Sequence, residues 1–297
     1  MTRRRCQHAD PAERHADGVL PTISVVTPSF NQALYLEATL RSVIAQRSDV
    51  HEYLVLDGGS GDDSAVIISR HAAGIDHWQS EPDGGQAAAI AAGFARCSGD
   101  ILFWINSDDM IAPGAAARVR QAFAEHPEWD VLTGYSVFLD EEGRITQVNR
   151  IGSESRWWLD RGILHVAQQT CYFRRGLYER AGGIDAGLHC MLDTELWLRF
   201  FAAGGRWGHI PAVLGGFRKH ALMKGRTWLD RYAEERHQVS LRHPAYRPSD
   251  SLWSAGRLLH GLTRVAAAAT LPAGWSRHLL GRRLHDLPRE QLGPPCM

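Results

Sequence analysis

A chain of 297 residues with 44% hydrophobic and 22% charged residues has enough apolar mass for a sizeable core, which excludes wholesale disorder. Its 33 basic residues are balanced by 33 acidic ones, so no bulk charge draws it to nucleic acid. The five scattered cysteines form no C-x-x-C pair, which excludes a zinc knuckle and a disulfide framework, and no apolar run is long enough to span a bilayer.

Residues 1–20, rich in Arg, His, Asp and Ala without a period, read as a flexible leader. They lack the apolar stretch of a secretory signal, so the chain is expected in the cytoplasm. The run Thr22-Ile23-Ser24-Val25-Val26-Thr27, β-branched and bounded by Pro21 and Pro28, predicts a buried strand. Over 33–46, Leu36, Leu40, Val43 and Ile44 share one helical face. A second strand over 52–56 stops at Asp57-Gly58-Gly59, followed by a helix over 63–71 and a short strand at 77–79. The loop Glu81-Pro82-Asp83-Gly84-Gly85 leads into an Ala-rich helix over 86–96, and a strand over 100–105 ends at Asn106-Ser107-Asp108-Asp109. A helix over 115–125, a hairpin of 131–139 with 144–148, a strand over 170–174, a helix over 192–203 and a strand over 208–217 follow.

This alternation predicts an α/β fold with a mostly parallel central sheet covered by helices. From 226 the composition turns basic, with eleven Arg against six acidic residues. A helical C-terminal extension, 226–297, is therefore expected beside a main domain of 21–225. Within it, 251–285 mixes apolar and basic residues with Trp253 and Trp275. That segment is expected either to touch an anionic membrane surface peripherally, on its inner face, or to pack on the domain.

Open α/β sheets bind ligands at the carboxyl ends of their strands, where Asp57 and the Asp108-Asp109 pair both fall. A divalent cation (Mn²⁺ or Mg²⁺) prefers oxygen ligands and keeps part of its shell for phosphate and water, so one or two carboxylates suffice to hold it. By itself an Asp-Asp turn is equally well explained as a cap or a solvated loop.

The segments TPSFNQALYLEATLRSVIAQ (27–46), LVLDGGSGDDS (54–64), SEPDGGQ (80–86) and WINSDD (104–109) come first in a series continued by AQQTCYFRRGLYERAGGID (167–185) and MLDTELWLRF (191–200). In that order, over roughly 22–220, the series resembles the motifs of family 2 glycosyltransferases. The resemblance implies a GT-A type nucleotide-binding fold. It also implies inverting transfer of a sugar from a nucleotide-sugar donor, a UDP-sugar by default, to a hydroxyl of a glycan or lipid-linked glycan.

Residue roles follow from the same resemblance. Asp57 is expected to hydrogen-bond the nucleotide base in a pocket lined by Thr27 and Pro28. Asp108 is expected near the ribose, Asp109 on the metal, and His220 on the metal or diphosphate. The loop of Asp83 brings backbone near the donor sugar or phosphates, and Gln168, Gln169 and Thr170 line the acceptor side. Asp193 is the expected base for the acceptor hydroxyl, with Glu195 as the fallback. One departure stands out. Where the family often reads Q-x-D-A-I-N-K-G, this chain has Gln86-Ala87-Ala88-Ala89-Ile90-Ala91-Ala92-Gly93, which points to altered donor choice or weakened activity.

Plainer explanations exist for several of these residues. Asp57 would serve as a turn former before Gly58-Gly59, Asp193 as a helix N-cap, and His220 is one of fifteen histidines. A nicotinamide dehydrogenase is disfavoured, because the glycines at 58, 59 and 61 do not fit G-x-G-x-x-G. Two alternatives remain open at this point: a degenerate transferase-like protein that binds nucleotide or glycan, and a metal-dependent nucleotidyltransferase. The second would want basic residues after the first strand, and 27–32 has none.

Overall fold

The computed structural model describes residues 20–150, 166–244, 246 and 277–293. Residues 1–19 of the expected leader and 251–276 of the expected membrane-contact segment lie outside them. Among the described residues no helix is long and apolar enough to cross a membrane.

The first half alternates strand and helix: β1 (Ile23–Ser29), α1 (Ala33–Ile44), β2 (Glu52–Asp57), α2 (Ser64–Arg70), β3 (His77–Ser80), α3 (Gln86–Arg96) and β4 (Ile101–Trp104). Then come β5 (Met110–Ile111), α4 (Ala115–Glu125), β6 (Val131–Leu139), β7 (Ile145–Asn149), β8 (Tyr172–Arg174) and α5 (Arg175–Arg180). The rest comprises α6 (Leu192–Ala202), β9 (Trp207–Arg218), α7 (Lys224–Thr227) and α8 (Leu229–Arg242). One sheet runs β3-β2-β1-β4-β8-β6-β9-β5, with β7 on β6. The block β3-β2-β1-β4 is parallel, as expected. Beyond it β8 runs antiparallel to β4 and β6, so the whole is a mixed α/β sheet with one parallel half.

Period-2 alternation divides each parallel strand between two cores. Ile23, Val25, Val55 and Phe103 face α1, α2 and α4, whereas Val26, Leu56, Leu102 and Trp104 face α3 and α6. The α3 helix lies so close to the sheet that a Cβ on Gly93 would meet Val26 at 2.6 Å, which fixes glycine there. Trp104 stacks on Trp197 of α6, with ring centroids 5.5 Å apart. That contact places the middle of α6 over the end of β4.

The basic C-terminal residues are partly built into this body. Val239 of α8 belongs to the α3/α6 core, and Leu279, Leu284, Leu287 and Leu292 enter the opposite one. Residues 281–284 exchange backbone hydrogen bonds with Gly143 and Ile145 at the β6–β7 hairpin.

Candidate active site

Register sets the site. Ser29 lies opposite Asp57, and Asp57 opposite Ser80, so three polar side chains line up at the carboxyl ends of β1, β2 and β3. The Asp57 carboxylate accepts hydrogen bonds from Ser60 N (2.9 Å), Ser60 Oγ (2.6 Å) and Ser80 Oγ (2.6 Å). It thereby anchors the turn, and the turn is tied to the end of β1 by Ser60 Oγ accepting from Asn31 N at 2.8 Å. Asn31, at φ 52°, is in the left-handed region that asparagine tolerates. The Ser29 hydroxyl is buried without a hydrogen-bond partner, a group the sequence reading did not single out. Thr27 lies two residues before Ser29 on the same face of β1, and its fully buried hydroxyl shares a hydrogen bond with Tyr53 (3.1 Å). Pro28 is buried within β1, and exposed Asp83 accepts from Gly85 N at 2.7 Å.

The acidic turn after β4 is held from beneath by a polar row on α1. Thr39 Oγ1 donates to the carbonyls of Ser107 (2.9 Å) and Asp109 (2.7 Å). Ser42 Oγ accepts from Ile111 N, and Gln46 bonds Ala112 O and Ala116 N. Positions 39, 42 and 46 share a helix face at i, i+3 and i+7 spacing.

The two aspartates of this turn have opposite surroundings. Asp109 is 1% exposed, and its Oδ1 accepts from the backbone N–H of Arg218 at 2.9 Å. Burial, and then the charge of Asp108, push its carboxyl well above the usual carboxylate range. Asp108 keeps a 22% exposed side chain, and its Oδ2 lies 3.0 Å from His220 Nε2. Of the two, Asp109, expected on the metal, turns its carboxylate to β9 and the core, and the carboxylate beside His220 belongs to Asp108. Among the described residues no group of three or more His, Cys, Asp or Glu is arranged around one point. Two donors nevertheless fit a divalent ion that takes its remaining ligands from phosphate and water. The buried Nδ1 of His220 has no hydrogen-bond partner, and Tyr35 packs against the ring at 4.7 Å. Arg218 donates through Nε to the Asp108 carbonyl (3.0 Å) and lies 5.0 Å from the Tyr35 ring.

A polar chain joins this turn to the other half. Lys224 Nζ donates to Gln86 Oε1 (2.6 Å), Gln86 Nε2 to Asn106 Oδ1 (2.7 Å), and Asn106 Nδ2 to Gln168 Oε1 (3.2 Å). Gln168 Nε2 ends the chain on Trp104 O at 2.6 Å. Gln168, Gln169 and Thr170 form a buried 3₁₀ turn, and Thr170 Oγ1 donates to Ala167 O. Of the three residues expected on the acceptor side, Gln168 and Thr170 bond to the protein's own groups, Gln168 bracing the acidic turn through Asn106 and Trp104 O.

Asp193 stands in the first turn of α6, half-buried, with Oδ1 accepting from Thr194 N at 2.6 Å. Desolvation raises its pKa above the ordinary range. It is not the N-cap, a position that Met191 holds. Capping comes instead from Glu235 of α8, whose carboxylate accepts from the N–H groups of His189 (3.0 Å), Cys190 (2.8 Å) and Met191 (3.1 Å). Glu195, the fallback base, is corrected to a structural ion: it is 4% exposed and bonded to Arg199 at 2.7–2.9 Å, with His243 at 3.3 Å.

With this geometry established, comparison with known proteins decides the family. The Glycosyl transferase family 2 description matches residues 24–182, more than half of the chain. The chain belongs to glycosyltransferase family 2. Family 2 enzymes use nucleotide sugars, and the fold described above is their GT-A fold. Among curated relatives, an uncharacterized glycosyltransferase of Mycobacterium tuberculosis is 34% identical over 184 residues, covering 60% of this chain and 68% of the relative. The O-antigen biosynthesis protein RfbC of Myxococcus xanthus is 30% identical over 204 residues, covering 65% of this chain but only 16% of that protein.

Two solved structures share the fold of this family 2 chain. The mannosyltransferase PcManGT of Pyrobaculum calidifontis, in complex with GDP-Man and Mn²⁺, superposes with a TM-score of 0.56 at 19% identity, over 89% of this chain and 83% of that one. Staphylococcus aureus TarS 1-349, in complex with UDP-GlcNAc, gives 0.59 at 15% identity, over 74% and 66%. The longer TarS chain is matched over 39% of its length.

Proposed function

We propose that this family 2 enzyme transfers a sugar with inversion from a nucleoside-diphosphate sugar, a UDP-sugar foremost, to a hydroxyl of a glycan or lipid-linked glycan. Asp108 and His220 hold Mn²⁺ or Mg²⁺, and Asp193 is the base. One observation carries the reading: partly exposed Asp108, paired with buried His220, stands at the carboxyl edge of the parallel strands, on the same rim as Ser29 and Asp57. A cation on that pair supplies positive charge to the departing diphosphate. The base and ribose occupy the rim of Ser29, Asp57 and Ser60, and Asp83 flanks the donor. Asp193 receives the proton of the acceptor hydroxyl as that oxygen attacks the anomeric carbon. The proton then stays on its carboxyl while the diphosphate leaves from the opposite face. GDP-Man with Mn²⁺ in PcManGT and UDP-GlcNAc in TarS support the donor class, and RfbC, an O-antigen biosynthesis protein, supports a polysaccharide acceptor. The enzyme is placed in the cytoplasm.

Incubation with a panel of nucleotide sugars, with and without chelator, tests this. Chelator-sensitive release of nucleoside diphosphate is expected. Tight donor binding without turnover would instead favour the degenerate reading that Ala88, Ala91 and Ala92 raise.

Asp193→Asn keeps the oxygen that Thr194 N uses, so donor affinity is expected to stay within about twofold while transfer falls roughly 10²–10⁴-fold. Loss of donor affinity would contradict the base assignment. The raised pKa carries a sign: the base is lost as pH falls through it, so the acidic limb of kcat/KM lies above the ordinary aspartate range. Ionised Asp193 is disfavoured in the folded state, so its cost to stability appears as pH rises through that pKa. Asp193→Asn is thus expected to match or exceed the native Tm at neutral pH.

A further inference from the structure

Of 33 basic residues only Lys219 and Lys224 are lysines, and both follow the end of β9. Lys219 lies over the Phe138 ring at 3.6 Å. Lys224 also lies near a ring, Trp228 at 5.3 Å, but its hydrogen bonds set it apart. Its half-buried ammonium donates to two neutral oxygens, Gln86 Oε1 at 2.6 Å and the His189 carbonyl at 3.3 Å, and has a third N–H to give. Among the described residues it makes no ion pair. Burial lowers its pKa, and Asp108 is among the negative charges that offset this, after Cys190. Gln86 is the first residue of the eleven-residue α3, so the ammonium also stands beside the positive end of that helix. Two positive groups are thereby brought together with no carboxylate in direct contact with the ammonium, one hydrogen-bonded step (Gln86 to Asn106) from the turn that carries Asp108.

We propose that Lys224 contacts the diphosphate of the donor, its third N–H meeting a phosphate oxygen as that group bridges from the Asp108–His220 pair toward the start of α3. This rests on the nucleotide-sugar reading and adds to it a residue outside every segment that carried the family resemblance. It also accounts for the bare α3: with Ala88, Ala91 and Ala92 on the helix, the polar contact beside Gln86 comes from the chain beyond β9. The same lysine spans the two halves, touching the donor helix through Gln86 and the loop before Asp193 through His189.

Titration calorimetry with UDP and UMP, and in parallel GDP and GMP, in the presence of Mn²⁺ tests the contact on the full chain. Lys224→Met is expected to raise the Kd of the diphosphate that binds the native enzyme at least tenfold. The Kd of the matching monophosphate changes less than twofold, which also reports an intact base site. Gln86→Ala, which removes the neighbour but leaves the ammonium, is expected to weaken the diphosphate no more than about threefold. Equal diphosphate binding by Lys224→Met overturns the proposal, and so does parallel loss of diphosphate and monophosphate in both variants, the mark of a brace. Native enzyme that binds none of the four nucleotides overturns the nucleotide-sugar reading itself, and this contact with it.

Discussion

Asp108→Asn is expected to abolish chelator-sensitive turnover, by roughly 10³-fold or more, while leaving the melting temperature within about 2 °C of native. Its carboxylate is partly exposed and bonds His220, so little of the fold depends on it. Asp109→Ala is expected to behave oppositely. That carboxylate accepts the Arg218 backbone N–H and the Asn106 amide inside the core, and removing it strands a buried donor at a cost of about 1–3 kcal/mol. Thermal denaturation beside initial rates at several Mn²⁺ concentrations separates the two. A catalytic loss in Asp109→Ala at unchanged stability, with Asp108→Asn active, would reverse the assignment.

Glu235→Ala carries the second large effect. Glu235 lies in the stretch that composition alone sets apart as an appendage, yet its carboxylate closes the N–H groups of three consecutive residues just before Asp193. Burial works to raise its pKa and is outweighed by those amides and Arg231, so the net direction is down. The stability it contributes is present above the ordinary glutamate range and is lost as pH falls through the depressed value. Its removal leaves buried amides unpaired and frees the start of α6. The expected cost is about 3 kcal/mol, or roughly 6 °C in Tm, together with loss of transfer. Urea denaturation and transfer rates check this; native stability with full transfer in Glu235→Ala would show that the loop holds itself. Cutting the chain after residue 225 also removes Val239 and the four leucines at 279–292 from the two cores, so the truncated protein is expected to be insoluble.

Much of the fold was legible because the parallel half is written in short-range periodicity. The helices α3 and α4 and the strand β6 coincide with the expected segments at both ends, and β1, β2 and β4 differ by a residue or two. What escaped depends on distant partners. The two-residue β5 exists only through its pairing with β9, about a hundred residues away in sequence. Residues 170–174 begin as a 3₁₀ turn because Gln168 is pulled inward by Trp104 O and Asn106. The site follows the same division. Adjacent Asp108 and Asp109 cannot be told apart by chemistry; the register that brings Arg218 N to Asp109 decides which carboxylate faces the cleft. Lys224 and Glu235 carried no signal in the sequence, because each acts through a partner more than forty residues away.

A crystal grown with UDP and Mn²⁺, examined for the manganese anomalous signal, tests the central claim most directly. The account predicts one peak within coordination distance of an Asp108 carboxylate oxygen and His220 Nε2, with the diphosphate on its open side. A peak bound by Asp109, with Asp108 turned to solvent, would contradict it.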